Sequence, residues 1–264
     1  MKNNGTSFRL KYGPYALIAG GSLGLGRAYA EALAKLGLNL ALLARRREHL
    51  ENTANYLREK YPVEVLWSAV DLADYEQTKR FVNGLSVAPG LLVYNAANAP
   101  IGLFKEIPEE QLAYTAAVNV RAPLLLTGLL APKMIEKGRG GIVLMSSLAG
   151  VQGSPKLAAY AATKAFNCIL AEGLWKELKP YGIDVIACCA GAILTPGYEQ
   201  AEHSKAAPGT LTPQEVAEQT LNALGKGPIV IPGAVNKIAR FFMARVLSRK
   251  AAINLMSNNT GGLS

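Results

Sequence analysis

Apolar runs alternate with amphipathic stretches from one end of the chain to the other. Tyr15-Ala16-Leu17-Ile18-Ala19-Gly20 is a short unbroken apolar run, which predicts a strand buried on both faces. Arg27 to Leu36 carries helical spacing and stops at Gly37. The same pairing then repeats. Strands are predicted at Leu38 to Ala44, Val63 to Val70, Leu91 to Asn95, Gly141 to Met145 and Ile183 to Ala190, with a short seventh at Pro228 to Ile231. Helices are predicted at Arg47 to Lys60, Tyr75 to Leu85, from Pro108 towards Gly138, and through Tyr160 to Leu178. Repeated strand–helix units of this length predict an α/β fold, a doubly wound parallel sheet of about seven strands with helices on both faces. No internal repeat or linker interrupts the pattern, so the chain reads as one domain, 1–264, with a core at 14–232 and a helical extension at 233–264. The long irregular stretch Thr195 to Thr212 reads as a lid or binding loop.

Composition changes this picture little. Half of the residues are apolar and 18% are charged, as in a folded globular chain. The richest apolar run, Ala122 to Ala131, is cut by Pro132 and Lys133 before it reaches the length of a membrane span. Met1-Lys2-Asn3-Asn4 lacks a hydrophobic signal core, so a cytoplasmic protein is expected. Cys168, Cys188 and Cys189 lie in apolar surroundings and only two histidines occur, which predicts reduced core thiols, no disulfide framework and no metal site. The net charge of +9 is diffuse and suits an anionic cofactor. No nucleic-acid module accompanies it, so no nucleic-acid partner is expected.

Three stretches carry chemistry. In Tyr160-Ala161-Ala162-Thr163-Lys164 the phenol and the ammonium stand four residues apart, on one face of a helix. A cation beside a phenol favours the phenolate and lowers its pKa towards neutrality, which makes tyrosine a usable acid or base. Ser147, thirteen residues upstream, can offer a hydroxyl to the same substrate oxygen. The second stretch is Gly20-Gly21-Ser22-Leu23-Gly24-Leu25-Gly26, between the first strand and the first helix. Glycines there permit a tight turn and close backbone approach to a pyrophosphate, which the helix N-terminus attracts. The third is Leu43-Ala44-Arg45-Arg46-Arg47, where the second strand ends without the carboxylate that takes the ribose hydroxyls of NAD. Arg45 and Arg46 can grip a 2′-phosphate instead, so NADP(H) is expected over NAD(H).

With these residues in place, the chain resembles the short-chain dehydrogenase/reductase superfamily over about residues 14–232. The resemblance implies a Rossmann-type sheet and rests on several motifs in order. They are the glycine turn, Asp71-Leu72, Tyr94-Asn95-Ala96-Ala97, Val118-Asn119-Val120, Ser147, Tyr160 with Lys164, and Ala190-Gly191-Ala192-Ile193-Leu194-Thr195. It implies a nicotinamide cofactor held by the Gly20 to Gly26 turn, with Asp71 and Leu72 at the adenine. Asn95, Ala96 and Ala97 would lie along the dinucleotide, and Gly191, Ile193 and Thr195 at the nicotinamide carboxamide. It also implies a catalytic set of Asn119, Ser147, Tyr160 and Lys164. In that set Tyr160 would exchange the proton, Lys164 would hold the nicotinamide ribose, and Asn119 would interrupt its helix and anchor a water leading from Lys164. Ala19, Tyr94, Ala97 and Ala190 depart from the family pattern at turns around the cofactor, and Leu23 lacks the basic residue of some NADP-preferring relatives.

The walls expected for a substrate, Asn98 to Gly102, Leu148 to Leu157 and the loop after Thr195, are small or apolar, which suits a hydrophobic ketone or alcohol. Gly13-Pro14-Tyr15-Ala16 and Ala28-Tyr29-Ala30-Glu31 resemble the branch of very-long-chain 3-oxoacyl-CoA reductases and some 17β-hydroxysteroid dehydrogenases. In the tail from Asn236 to Ser257, Ile238, Phe241, Phe242, Ala244, Val246 and Leu247 form a broad apolar surface interspersed with Lys237, Arg240, Arg249 and Lys250. Such a helix can lie on an anionic membrane, although packing on the domain or on a partner subunit is the favoured arrangement. The resemblance implies a homodimer or homotetramer. A catalytically silent nucleotide-binding regulator or scaffold is the competing reading, and the intact tetrad argues against it.

Overall fold

Seven parallel strands form one sheet in the order β3-β2-β1-β4-β5-β6-β7. They are β1 Tyr15–Ala19, β2 Asn39–Ala44, β3 Val65–Ala69, β4 Leu91–Tyr94, β5 Gly140–Ser147, β6 Ile183–Ala190 and β7 Ile229–Val230. The computed structural model describes residues 2–195 and 207–260. Most of the loop expected between Thr195 and Thr212 therefore lies outside the described residues. β1 is buried along its whole length because helices cover both faces. Its alternate residues feed two cores: Ala16 and Ile18 face one, Leu17 and Ala19 the other.

The helices on the first face are α1 Lys2–Tyr12, α2 Gly24–Lys35 and α3 Arg47–Lys60, joined by the later Pro213–Ala223. On the second face lie α4 Tyr75–Asn83, α6 Ala122–Glu136 and α7 Ala158–Leu178. α5, Glu109–Ala116, runs into α6 through a π-turn at Ala117–Arg121 that contains Asn119. We number Pro213–Ala223 α8, and the tail forms α9, Ala234–Phe241, a π-turn at Phe242–Val246, and α10, Arg249–Thr260.

Several expectations need correction. α1 carries no apolar periodicity and was not foreseen; it is held by Phe8 and Tyr12 against the first core and by the Tyr12 hydroxyl donating to Asp184. α2 begins at Gly24 rather than Arg27, so the last glycines of the turn are already helical. The helix expected from Pro108 towards Gly138 does run past Pro132, which lies inside α6, but Pro132 and Lys133 do not shorten its apolar stretch as expected. The run 109–136 is consequently long and apolar enough to cross a bilayer by length and composition. Leu126, Leu130 and Met134 are nevertheless buried in the second core, which is the position of a sheet-covering helix.

β1 pairs with β2 on one side and β4 on the other, so the chain reverses its winding direction at β1. In open α/β sheets the connections leave such a point in opposite directions and open a crevice beyond the carboxyl ends of the strands. The last paired residues there are Ala19 with Leu43 and Tyr94, and Ser147 with Ala190. That edge is where the chemistry-bearing residues converge.

Candidate active site

A cleft of about 610 Å³ opens over this edge, within the range of small-molecule and cofactor sites. Its floor is the glycine turn. Gly20 has φ +83°, and a Cβ there would sit 2.8 Å from the Ala96 nitrogen. A Cβ on Gly26 would sit 1.8 Å from the Gly20 carbonyl oxygen, so α2 approaches the end of β1 more closely than any side chain allows. The turn is fixed from outside as well. Thr53 Oγ1 donates to the Ser22 carbonyl at 2.8 Å, and Asn95 Nδ2 donates to the Gly20 carbonyl at 3.1 Å. Leu23 precedes α2 without any side-chain cap, which leaves the N–H groups of the first turn to another acceptor. A cradle that only glycine backbone can form, beside an uncapped helix start, fits a pyrophosphate.

At one end of the cleft Arg45, Arg46, Asp71 and Leu72 line the wall. The sequence reading missed Tyr114, which joins them. Arg45 Nη1 donates to the Tyr114 hydroxyl at 2.8 Å, the guanidinium lies 5.6 Å from that ring centre, and the same hydroxyl lies 3.1 Å from Asp71 Oδ1. Arg45 is thus held at the cleft by a relay from β2 to α5 to the loop after β3. An arginine positioned this way suits a phosphate or ribose at the adenine end. Tyr114 stands five residues before Asn119 on the same helical unit, which was the only local signal of its position.

At the other end lie Ser147, Tyr160 and Lys164, with Gly191, Ile193 and Thr195. Ser147 closes β5, and its Oγ accepts the Ala149 N–H at 3.2 Å. Lys164 is 2% exposed, and its Nζ donates to the Met145 carbonyl at 2.9 Å. Nζ stands 5.4 Å from the centre of the Tyr160 ring, so the four-residue spacing does stack the pair. The expected effect on the phenol is not what the fold produces. Burial raises the Tyr160 phenol above its ordinary value of 10, and only a hydrogen bond with Ser147 draws it back. Burial also lowers the Lys164 ammonium to about 8.

Asn119 is not in the cleft wall. Its amide nitrogen donates to the Asn98 carbonyl at 2.7 Å and to Thr163 Oγ1 at 3.0 Å, and its Oδ1 accepts the Asn98 N–H at 2.8 Å. Both amide hydrogens are committed, so Asn119 clamps the loop after β4 to α7 next to Lys164. Gly26 is likewise behind the cleft, where it permits the turn. The altered Tyr94 is accommodated: the side chain is buried and its hydroxyl donates to the Val118 carbonyl in the π-turn. Of the expected substrate walls, Asn98, Ala99, Ile101 and Leu157 border the cleft. Gln152 and Ser154 turn inward and are buried.

The model of the short chain dehydrogenase family matches residues 14–206. A very-long-chain 3-oxoacyl-CoA reductase of Phaeosphaeria nodorum is 31% identical over 93% of this chain and 75% of its own length. The solved structure of a 7β-hydroxysteroid dehydrogenase superposes with a TM-score of 0.89 at 28% identity, covering 95% of this chain and 99% of that one. A short-chain dehydrogenase from Sphingobium yanoikuyae in complex with NADPH gives a TM-score of 0.77 at 28% identity, covering 89% and 96%. With the glycine cradle, the parallel sheet and the tyrosine–lysine pair at the ends of its strands, this chain belongs to the short-chain dehydrogenase/reductase family and is an NAD(P)(H)-dependent oxidoreductase.

Proposed function

We propose that the chain reduces the carbonyl of a hydrophobic substrate, or oxidises the matching secondary alcohol, with NADP(H) preferred over NAD(H). One observation carries this reading: Ser147, Tyr160 and Lys164 line the same cleft as the glycine turn and Arg45. The nicotinamide, when bound, supplies or accepts the hydride. The chain's own residues handle the oxygen. The Tyr160 hydroxyl holds the proton that passes to or from it, and Ser147 donates a hydrogen bond that stabilises its developing charge. Lys164 keeps a positive charge beside the phenol and would hold the nicotinamide ribose. Asn119 fixes α7 and the Asn98 loop so that these groups keep their spacing.

Ala99, Ile101, Val118, Leu157 and Ala192 give the substrate end an apolar lining, and relatives named for 3-oxoacyl-CoA and for a hydroxysteroid support a bulky apolar substrate. A relative solved with NADPH and the Arg45 relay support the 2′-phosphorylated cofactor. The same reading takes the chain to work in the cytoplasm, without nucleic acid, and as a homodimer or homotetramer. Exposed Leu124 on α6 and Ile169 on α7, with open space over Gly128 and Gly173, support pairing through those helices. It also includes peripheral contact of the tail with a membrane.

The experiment is a panel of ketones and alcohols assayed with NADPH and NADH, run beside Tyr160→Phe. NADPH consumption on an apolar ketone is expected, lost at least about 10²-fold in the variant while NADPH binding persists. Unchanged turnover in the variant would remove Tyr160 from the chemistry. Tight nucleotide binding without turnover on any compound would leave the silent-regulator reading in its place.

A further inference from the structure

The structure assigns to the C-terminal segment 234–250 a docking surface for an anionic lipid layer. Four of its apolar side chains, Ile238, Phe241, Phe242 and Val246, are between 52% and 60% exposed, and Val235 is 51% exposed. They lie at helical spacing along α9 and the π-turn after it, so they form one outward stripe. Lys237, Arg240 and Arg245 line a shallow groove on the same segment together with Phe241 and Ala244. The segment is bound to the domain at both ends. Asn236 is buried and donates to the Pro232 and Gly209 carbonyls, while Arg249 donates to the Val151 carbonyl at 2.9 Å and Ala252 is buried. The exposed stripe is therefore presented by an anchored element.

Charge selects the occupant. Residues 219–264 contain six basic side chains (Lys226, Lys237, Arg240, Arg245, Arg249 and Lys250) and no Asp or Glu. Among the described residues, none of Lys237, Arg245 and Lys250 is ion-paired. A two-fold contact with a second copy would set this positive face against itself, and like charges brought together oppose association. A nucleic acid would match the charge but not four large apolar side chains standing between the cations. A lipid layer with acidic headgroups takes both: the cations stay at the headgroups while the phenylalanines and isoleucine enter the acyl boundary. This deepens the membrane part of the functional reading by naming the partner, and it does not depend on the catalytic part.

The test uses the full chain with vesicles of phosphatidylcholine alone and of phosphatidylcholine with phosphatidylglycerol, followed by flotation. Two double variants are compared with it, Phe241→Ser with Phe242→Ser, and Lys237→Glu with Arg245→Glu. The expected result is flotation with the phosphatidylglycerol vesicles only, weakened by salt and reduced about tenfold or more in each variant. Melting temperature, light-scattering mass and turnover of a water-soluble ketone are expected to stay unchanged. The proposal is overturned if the chain stays in solution with both vesicles, floats equally with both, or floats as well in the variants. A variant that changes the oligomer mass would make the surface a contact between copies, and flotation abolished only by competing nucleic acid would make it a polyanion site. Loss of flotation with intact turnover, or the reverse, separates this proposal from the catalytic one.

Discussion

Replacing Lys164 with methionine is expected to stop turnover and to make the fold more stable at neutral pH. Lys164 is 2% exposed, and burial lowers its ammonium from 10.5 to about 8. Carrying that charge inside the fold therefore costs about 3 kcal/mol below about pH 8. Between about 8 and 10.5 the unfolded chain binds more protons than the folded one, so this penalty fades and stability rises with pH. Methionine is close to lysine in volume and carries no charge. The variant gives up the bond to the Met145 carbonyl, a loss of about 1 kcal/mol. Asn167 Nδ2 still donates to that carbonyl at 3.3 Å, so it is not orphaned. The net gain is roughly 1–2 kcal/mol, or about 2–8 °C in Tm for a chain of this size. Thermal unfolding of both proteins from neutral to alkaline pH checks it, with the largest difference below about pH 8 and a narrowing gap above. A variant that melts lower than the parent at neutral pH, or a gap that ignores pH, would refute the reasoning. The result would show a site that keeps an unfavourable buried charge for its chemistry.

Arg45→Ala is expected to raise KM for NADPH by about 10–100-fold, the value of charge-assisted bonds to a phosphate, with NADH within about twofold. Equal losses for both cofactors would end the 2′-phosphate role. Tyr114→Phe keeps the ring but removes the hydroxyl that links Arg45 to Asp71; steady-state kinetics should show the same NADPH-selective loss at a smaller size, about 3–10-fold. Gly26→Ala forces a Cβ to within 1.8 Å of the Gly20 carbonyl oxygen. Calorimetric titration should find binding of both nucleotides lost, with a destabilisation of about 1–3 kcal/mol or more. Retained binding would mean that the turn opens without consequence.

Much of the architecture is legible in local patterns. β6 runs from Ile183 to Ala190 as its apolar run predicts, and α3 from Arg47 to Lys60, because each is bounded by its own turn residues. Tyr160 and Lys164 meet because four residues is a helical turn, a relation that needs no tertiary information. The glycine turn is equally local, since the need for an absent side chain is written into the residue type. α1 was not legible: with few apolar residues, it owes its helix to Phe8 and Tyr12 finding the core and to Asp184, far along the chain. Pro132 and Lys133 misled only about the length of the apolar run, because the helix continues past them with Met134 buried in the second core.

The sequence alone determined most of the order of strands and helices, the glycine cradle and the candidates for the reacting groups, since all of these follow from residue type at short spacing. Only the tertiary structure decided how those groups are tuned. It brought Tyr114 between Arg45 and Asp71, bonded Asn119 to Asn98 and Thr163, and left the stripe from Ile238 to Val246 facing outward. It also reversed the expectation for Tyr160, because desolvation depends on everything packed around a group and here outweighs the hydrogen bond with Ser147. Proximity along a helix can be counted in residues, whereas burial is a property of the assembled chain.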